Sequence, residues 1–191
     1  MRYEKGRKET TRQHIVDVAS RRFREGGVAA VGIAGIMSDA GLTNGAFYVH
    51  FDSKEDLVRA VFTDALERRD RGLQGNLERN ESLKETIRDY LSVRHRDHAG
   101  SGCPTAAMVA EIARHPEETQ DVFTTSVERI VLLIADRLRN GSMAERRRKA
   151  IAIYGMMVGS LQIARAVNNT KLSGEILENA LEGALALAGE R

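Results

Sequence analysis

The chain has one cysteine, two prolines and no tryptophan in 191 residues, and each shortage narrows what it can be. A lone thiol, Cys103, excludes an internal disulfide framework and fits a reducing compartment, so a cytoplasmic location is expected. Two prolines and few β-branched clusters leave long stretches free to be helical. No charged-then-apolar leader opens the chain, whose first twenty-five residues are strongly polar. The most apolar run, Ala150 to Ala164, is shorter than the roughly 20 residues a membrane helix needs, so no membrane partner is expected. A net charge of +2 rules out a polycation. Also missing are G-x-x-x-x-G-K-[ST], G-x-G-x-x-G after a strand, G-x-S-x-G and H-E-x-x-H. No catalytic residue, cofactor or enzymatic activity is therefore expected.

What is present is helical periodicity and one dense motif. Hydrophobic residues make up 42% of the chain and charged residues 29%, the balance of a soluble globular protein. In residues 1–25, eight cations (Arg2, Lys5, Arg7, Lys8, Arg12, Arg21, Arg22, Arg24) face four acids, which suits an end that meets phosphate. Residues 1–7 read as a basic arm, followed by a helix over 8–25 with Ile15, Val18, Ala19 and Phe23 inward and Gly26-Gly27 as its stop. Ile33, Ile36, Met37 and Ala40 then recur at helical spacing, and Gly41 supplies a left-handed terminator. Thr43 can cap a second short helix over 44–50, which buries Phe47 and shows Asn44, Gly45, Tyr48 and His50 outward. Two short helices on a Gly-containing turn read as a helix-turn-helix, sized for a DNA major groove.

The stretch G-L-T-N-G-A-F-Y-V-H-F-D-S-K-E-D-L, residues 41–57, resembles the signature of the TetR family of bacterial transcriptional regulators, and the likeness runs from about Thr11 to Val61. It implies an all-α protein with a helix-turn-helix domain over 1–52 (motif about 31–50). A larger helical effector-binding and dimerisation domain over 53–191 would follow, for about nine helices in all. Thr43 and Asn44 are placed to read bases, Asn44 pairing bidentately with adenine. By resemblance Tyr48 and His50 reach phosphates, Lys54 holds another, and Ala46, Val49 and Gly45 complete the surface. Where the family carries a Ser or Thr cap before the first short helix, this chain has Val31 and Gly32, so backbone N–H groups of Gly32 and Ile33 are expected to substitute.

Beyond the motif, Ser53 with Asp56 opens a helix reaching about residue 75, whose Arg68, Arg69, Asp70 and Arg71 read as its wet far end. Ser82 and Glu85 form a capping box for a helix to about His98. Further helices are expected over 104–114, 117–139, 143–167 and 173–188. Residues 150–164 are apolar almost all round, with Ala152, Gly155 and Gly159 forming a small-residue ridge. With Ile163, Ile176, Ala180 and Ala184 they are expected to build a four-helix homodimer interface. By resemblance the middle helices enclose an effector cavity, with Tyr90, Arg94, Cys103, Met108, Phe123, Val127, Met156 and Ser160 as candidate lining; plain core packing is the other reading of each.

Two further constellations stay open or closed on chemistry. Cys103, just before Pro104 at a helix start, is either a thiol sensor of oxidants and electrophiles or a small residue near a cap. His95 and His98 lie three apart with Cys103 and His115 nearby, but no further ligand pair completes a metal site, so no metal is expected. The run Arg146 to Lys149 reads as a solvated face. The function expected is a homodimeric repressor, released from a palindromic double-stranded DNA operator by a small-molecule effector. The alternative is an all-α small-molecule or thiol-redox sensor with weak or vestigial DNA binding.

Overall fold

The computed structural model describes residues 2–78 and 82–190. Those residues form ten α-helices and a single 3-10 turn, with no strand among them. In order they are α1 (Arg2–Gly26), α2 (Ile33–Asp39), α3 (Asn44–Phe47), α4 (Lys54–Glu78), α5 (Leu83–Tyr90), α6 (Val93–Asp97), the 3-10 turn (Ala99–Ser101), α7 (Pro104–Ile112), α8 (Glu117–Arg137), α9 (Met143–Ala166) and α10 (Thr170–Ala188). No helix among the described residues is long and apolar enough to cross a membrane.

Local chemistry explains most of the boundaries. Gly41 takes φ +68°, and the N–H groups of Gly41 and Leu42 return to the carbonyls of Ser38 and Met37, closing α2 with a Schellman turn. Ser82 and Glu85 cap α5 reciprocally, as do Ser142 and Glu145 for α9. At α4 the Ser53 hydroxyl accepts from the Asp56 N–H, while Asp56 reaches back to the N–H of Asp52.

Four expectations need correction. The arm expected over 1–7 is the first part of α1, which begins at Arg2, and the hydroxyls of Thr10 and Thr11 donate back to the carbonyls of Gly6 and Arg7. Met1 and the side chains of Arg2 and Lys5 lie outside the described residues. The helix expected over 82–98 breaks at Leu91–Ser92, where Ser92 accepts from the His95 N–H and starts α6 instead. The helix expected over 44–50 is one α-turn followed by i→i+3 bonds from Val49 and His50 to Ala46 and Phe47. The last helix starts three residues earlier than expected, because the Asn169 side chain accepts from the Leu172 N–H.

The helices enclose two apolar cores. The smaller takes Ile15, Ala19 and Phe23 from α1, Ile36 and Met37 from α2, Phe47 and Phe51 around α3, and Leu57 to Leu66 from α4. Met108 and Ile112 of α7 complete it. The larger is built from α5, α8, α9 and α10, with Ile87, Ile130, Ile134, Ile153, Leu161 and Leu177 at its centre.

Candidate nucleic-acid interface and effector cavity

The α2–turn–α3 unit is braced from beneath and bare on its outer edge. Phe47 has no exposed surface and packs with Phe51 at a ring separation of 5.6 Å. The His14 ring lies 3.2 Å from the Ala40 carbonyl, and Arg22 pairs with Asp39 at 3.2 Å, so α1 grips the C-terminal end of α2. Above this base Thr43, Asn44, Gly45, Tyr48 and Val49 are exposed, Tyr48 by 68% and Val49 by 58%. Two large groups left in water on a seven-residue span are unusual unless something covers them. Ala46 and His50 are half-buried in the same surface. A Cβ added at Gly45 or Gly32 would meet nothing within 4 Å, so neither glycine serves packing within the chain.

Cations flank this edge. Arg12 sits 4.7 Å over the Phe51 ring, and exposed Arg7 and Lys8 precede it on α1. Partial burial, then Lys8 and Arg12, hold the His50 imidazolium below its usual pKa. Gly32 caps α2 without a side-chain bond, as the missing Ser or Thr requires. Thr43, expected to cap α3 through its hydroxyl, makes no such bond. The Lys54 ammonium donates to the Val28 carbonyl at 2.7 Å, so it ties α4 to the α1–α2 turn with one of its three N–H groups.

A cavity of about 590 Å³ lies beside the larger core. Its wall draws Asp17, Ser20 and Arg24 from α1, Arg68, Arg69 and Leu73 from α4, Leu83, Thr86 and Tyr90 from α5, Gly102 to Pro104, Ile130, Leu133 and Ile134 from α8, and Tyr154 and Met157 from α9. Of the residues expected there, Tyr90 and Cys103 line it. The other six do not. Met108 is 1% exposed inside the smaller core, and Phe123 packs on that core from outside. Val127 and Met156 pack on the larger core, Arg94 is exposed and Ser160 half-buried elsewhere on α9.

Sequence reasoning missed the polar part of this wall. Of Arg69 and Asp70, read as the wet end of α4, Asp70 is buried and the Arg69 side chain is only 15% exposed. Arg69 donates to Asp70 at 2.8 Å, Ser126 at 2.6 Å, Thr105 at 2.8 Å and Tyr154 at 3.1 Å, and Asp70 also pairs with Arg129 at 3.1 Å. Spacing carried the clue, because Asp70 follows Phe62 and Leu66 at intervals of four on the inward face. Arg24, counted among the phosphate-facing cations, turns into the cavity instead.

Cys103 is 6% exposed and serves as the N-cap of α7, with Pro104 in the first turn. Its N–H donates to His95 Nε2 at 2.9 Å, while His95 Nδ1 lies 2.7 Å from the Tyr90 carbonyl. That pair of bonds fixes a neutral ring protonated on Nδ1. Burial foremost lowers the His95 pKa, in keeping with that form. His98 Nδ1 faces the Arg94 carbonyl and His115 pairs with Glu55 at 2.7 Å, so the three histidines serve three separate structural bonds.

The other end of α7 reaches the helix-turn-helix. Glu111 accepts from the N–H groups of Val28 at 3.0 Å and Ala29 at 2.8 Å, clamping the α1–α2 turn. Gly27, at φ +80°, leaves room for that carboxylate, which a Cβ there would meet at 3.0 Å. On α9, Ala152 and Gly155 are exposed, Gly159 half-buried, and Ile151 and Ile163 more than half exposed, forming a continuous open stripe. Ile176 packs on the larger core, and Ala180 and Ala184 are buried within it, so these three face their own chain.

A helix-turn-helix with a bare, cation-flanked outer edge, joined to a larger helical body that holds a cavity, defines a DNA-binding transcriptional regulator. Residues 15–61 match the family described as bacterial regulatory proteins, tetR family. The HTH-type transcriptional regulator AcrR of Shigella flexneri is 44% identical over 54 residues, 28% of this chain and 25% of that protein. TtgR of Pseudomonas putida, another HTH-type transcriptional regulator, is 25% identical over 178 residues, covering 85% of this chain and 83% of the relative. The fold is shared with the reduced form of Escherichia coli NemR, at a TM-score of 0.76 and 22% identity over 92% of this chain and 95% of that one. Residues 15–61 thus carry the helix-turn-helix module of the TetR family, and the chain as a whole is similar to transcriptional regulators of that kind.

Proposed function

We propose that the chain acts as a cytoplasmic homodimeric repressor, with residues 1–52 as the DNA-reading unit and 53–191 as the effector and dimerisation unit. A small molecule in the 590 Å³ cavity releases it from a palindromic operator. The observation that carries this reading is the shared wall: α1, which carries the helix-turn-helix, and the body helices line one cavity. An occupant that fits one spacing of these elements better than another shifts the population towards it. Helix α7 supports the same reading, because it starts at the cavity with Cys103 and Pro104 and ends clamped to the α1–α2 turn by Glu111.

In this reading Thr43 and Asn44 reach base edges, with Ala46 and Val49 against the groove floor and Gly45 permitting close approach. Tyr48, His50 and the N–H groups of Gly32 and Ile33 hold phosphates, and Lys54 offers its remaining donors. The open α9 stripe, Ala152, Gly155, Gly159 and Ile163, meets its twin, which sets the two reading units about 34–36 Å apart on one DNA face. Ile176, Ala180 and Ala184 support that stripe from behind.

Selection of bound DNA from a random pool tests the proposal. An inverted repeat with half-sites about one helical turn apart is expected. Asn44→Ala should relax preference at one position of each half-site, by about 1–3 kcal/mol. A pool that yields no site, or a site without two-fold symmetry, rejects the reading. Gly159→Arg should convert the dimer to monomer in light scattering and abolish selection.

A further inference from the structure

Arg24 stands out in the cavity wall because no carboxylate touches its guanidinium. Its Nε donates to the Ser20 carbonyl at 3.1 Å, its Nη1 to the Gly102 carbonyl at 3.0 Å, and its Nη2 to the Ser20 hydroxyl at 2.9 Å. All three acceptors are neutral, and no carboxylate pairs with Arg24 among the described residues. A guanidinium has five N–H donors, so two remain to be used. Burial lowers the Arg24 pKa, the mark of a cation taken out of water without full repayment.

The neighbouring guanidiniums are in a different state. Arg68 pairs with Asp17 at 2.7 Å and Asp64 at 2.8 Å. Arg69 is neutralised by Asp70 and bonded to three hydroxyls. Arg137 is exposed at the rim. The carboxylates of the wall are thus bonded to Arg68, and Arg24 feels Asp64 and Glu25 only through space, so the interior keeps one positive charge with no carboxylate in contact. Close by, the buried Tyr90 hydroxyl bonds to no nitrogen or oxygen of the described residues and has the Cys103 thiol as its polar neighbour. A ligand oxygen would give that hydroxyl the strong hydrogen bond it lacks. Arg24 and Tyr90 meet the same segment, Arg24 through the Gly102 carbonyl and Tyr90 through the His95 ring that holds the Cys103 N–H.

We propose that the cavity's effector is an apolar weak acid, a monoanionic carboxylate that sits on Arg24 with its second oxygen or a polar substituent on the Tyr90 hydroxyl. Its body lies among Leu73, Leu83, Ile130 and Met157. The class follows from charge: a cation would add to the unpaired Arg24, and a neutral molecule would leave it so. A dianion would exceed the single free charge. The volume accommodates on the order of twenty non-hydrogen atoms at protein packing density. Because Arg24 belongs to α1, the acid would touch the helix-turn-helix unit directly and compete for the bond that ties it to Gly102.

This assignment rests on the effector-responsive reading above, and its test separates the two. Calorimetric titration of the full chain with 2-naphthylacetate, 2-naphthylacetamide and 2-naphthylethylammonium compares one shape at three charges. The acid should bind at least about tenfold tighter than the amide, the value of one charge-assisted hydrogen-bonded pair, with the ammonium weakest. Arg24→Gln should bring the acid down to the amide while leaving the amide unchanged, so amide binding reports an intact cavity. Arg24→Lys, which keeps the charge without the fork, should restore part of the preference, and Tyr90→Phe should cost about threefold. No binding of the acid, equal binding of acid and amide, or an acid preference that survives Arg24→Gln overturns the assignment. The same preparation goes into the random-pool selection. A chain that selects a palindrome but ignores the acid loses the ligand class alone, and one that binds the acid but selects no DNA loses the repressor reading alone.

Discussion

The two cores of this protein are made of different materials. All five phenylalanines lie in or against the smaller core: Phe23, Phe47, Phe51 and Phe62 are within it and Phe123 packs on its outside. The larger core has none, and combines aliphatic residues with Tyr154, a largely buried Arg69–Asp70 pair and a 590 Å³ space. Stiff rings with two side-chain torsions fill volume and leave few alternative packings. Such a core suits a unit that must present one geometry to DNA. Aliphatic side chains around a polar network leave room for a guest and for small shifts between packed helices, which suits a body with two states.

The sharpest way to break that contrast is Phe47→Ala. Removing a fully buried ring should cost about 4 kcal/mol, a large share of the roughly 5–15 kcal/mol that holds a domain together. A thermal melt should show the loss, and DNA binding should vanish even where the body remains helical. Asp70→Asn strikes the other core. It strands the Arg69 charge among Thr105, Ser126 and Tyr154 and should cost about 3 kcal/mol by urea denaturation. If Asp70→Asn proves neutral, the network is not what organises the larger core.

A milder change probes the link between the two. Glu111→Gln keeps one acceptor for the N–H groups of Val28 and Ala29 but loses the other, and should cost about 1–2 kcal/mol in the same denaturation. DNA affinity should fall with it, because the clamped turn leads directly into α2. Unchanged affinity would place the coupling elsewhere.

The smallest effect expected is a pH dependence from His95. Its folded pKa lies below the ordinary 6.5, so between those two values the unfolded chain binds more protons than the folded one. Stability from this group is complete above about pH 6.5 and is lost as pH falls towards the folded pKa. His95→Gln should flatten that part of a melting-temperature profile.

The helix-turn-helix was legible because its parts are dictated locally. Gly41 and Leu42 are what a Schellman turn needs, and alternating buried and bare positions around Phe47 follow from helical spacing. The Ser82 capping box was readable for the same reason. Half of that helix was not, since nothing in the run 88–95 announces that Ser92 will cap a new turn. The cavity was least legible. Arg24, Arg69 and Asp70 carry charges that normally seek water, and only the packing of several helices around them makes burial affordable. Tyr90 and Cys103 were found as an aromatic and a thiol near a helix break, whereas Met108 and Phe123 looked identical in kind and belong to the other core.

Met108 and Ile112 reach across from α7 to fill the smaller core, 1% and 2% exposed. A truncation ending before residue 104 would therefore open a hole in the reading unit where two aliphatic side chains stood. Chimeras that splice this chain's first fifty residues onto another regulator's body must import a matching pair of plugs, or the transplanted unit will lose specificity through looseness rather than through any change at its groove-facing edge.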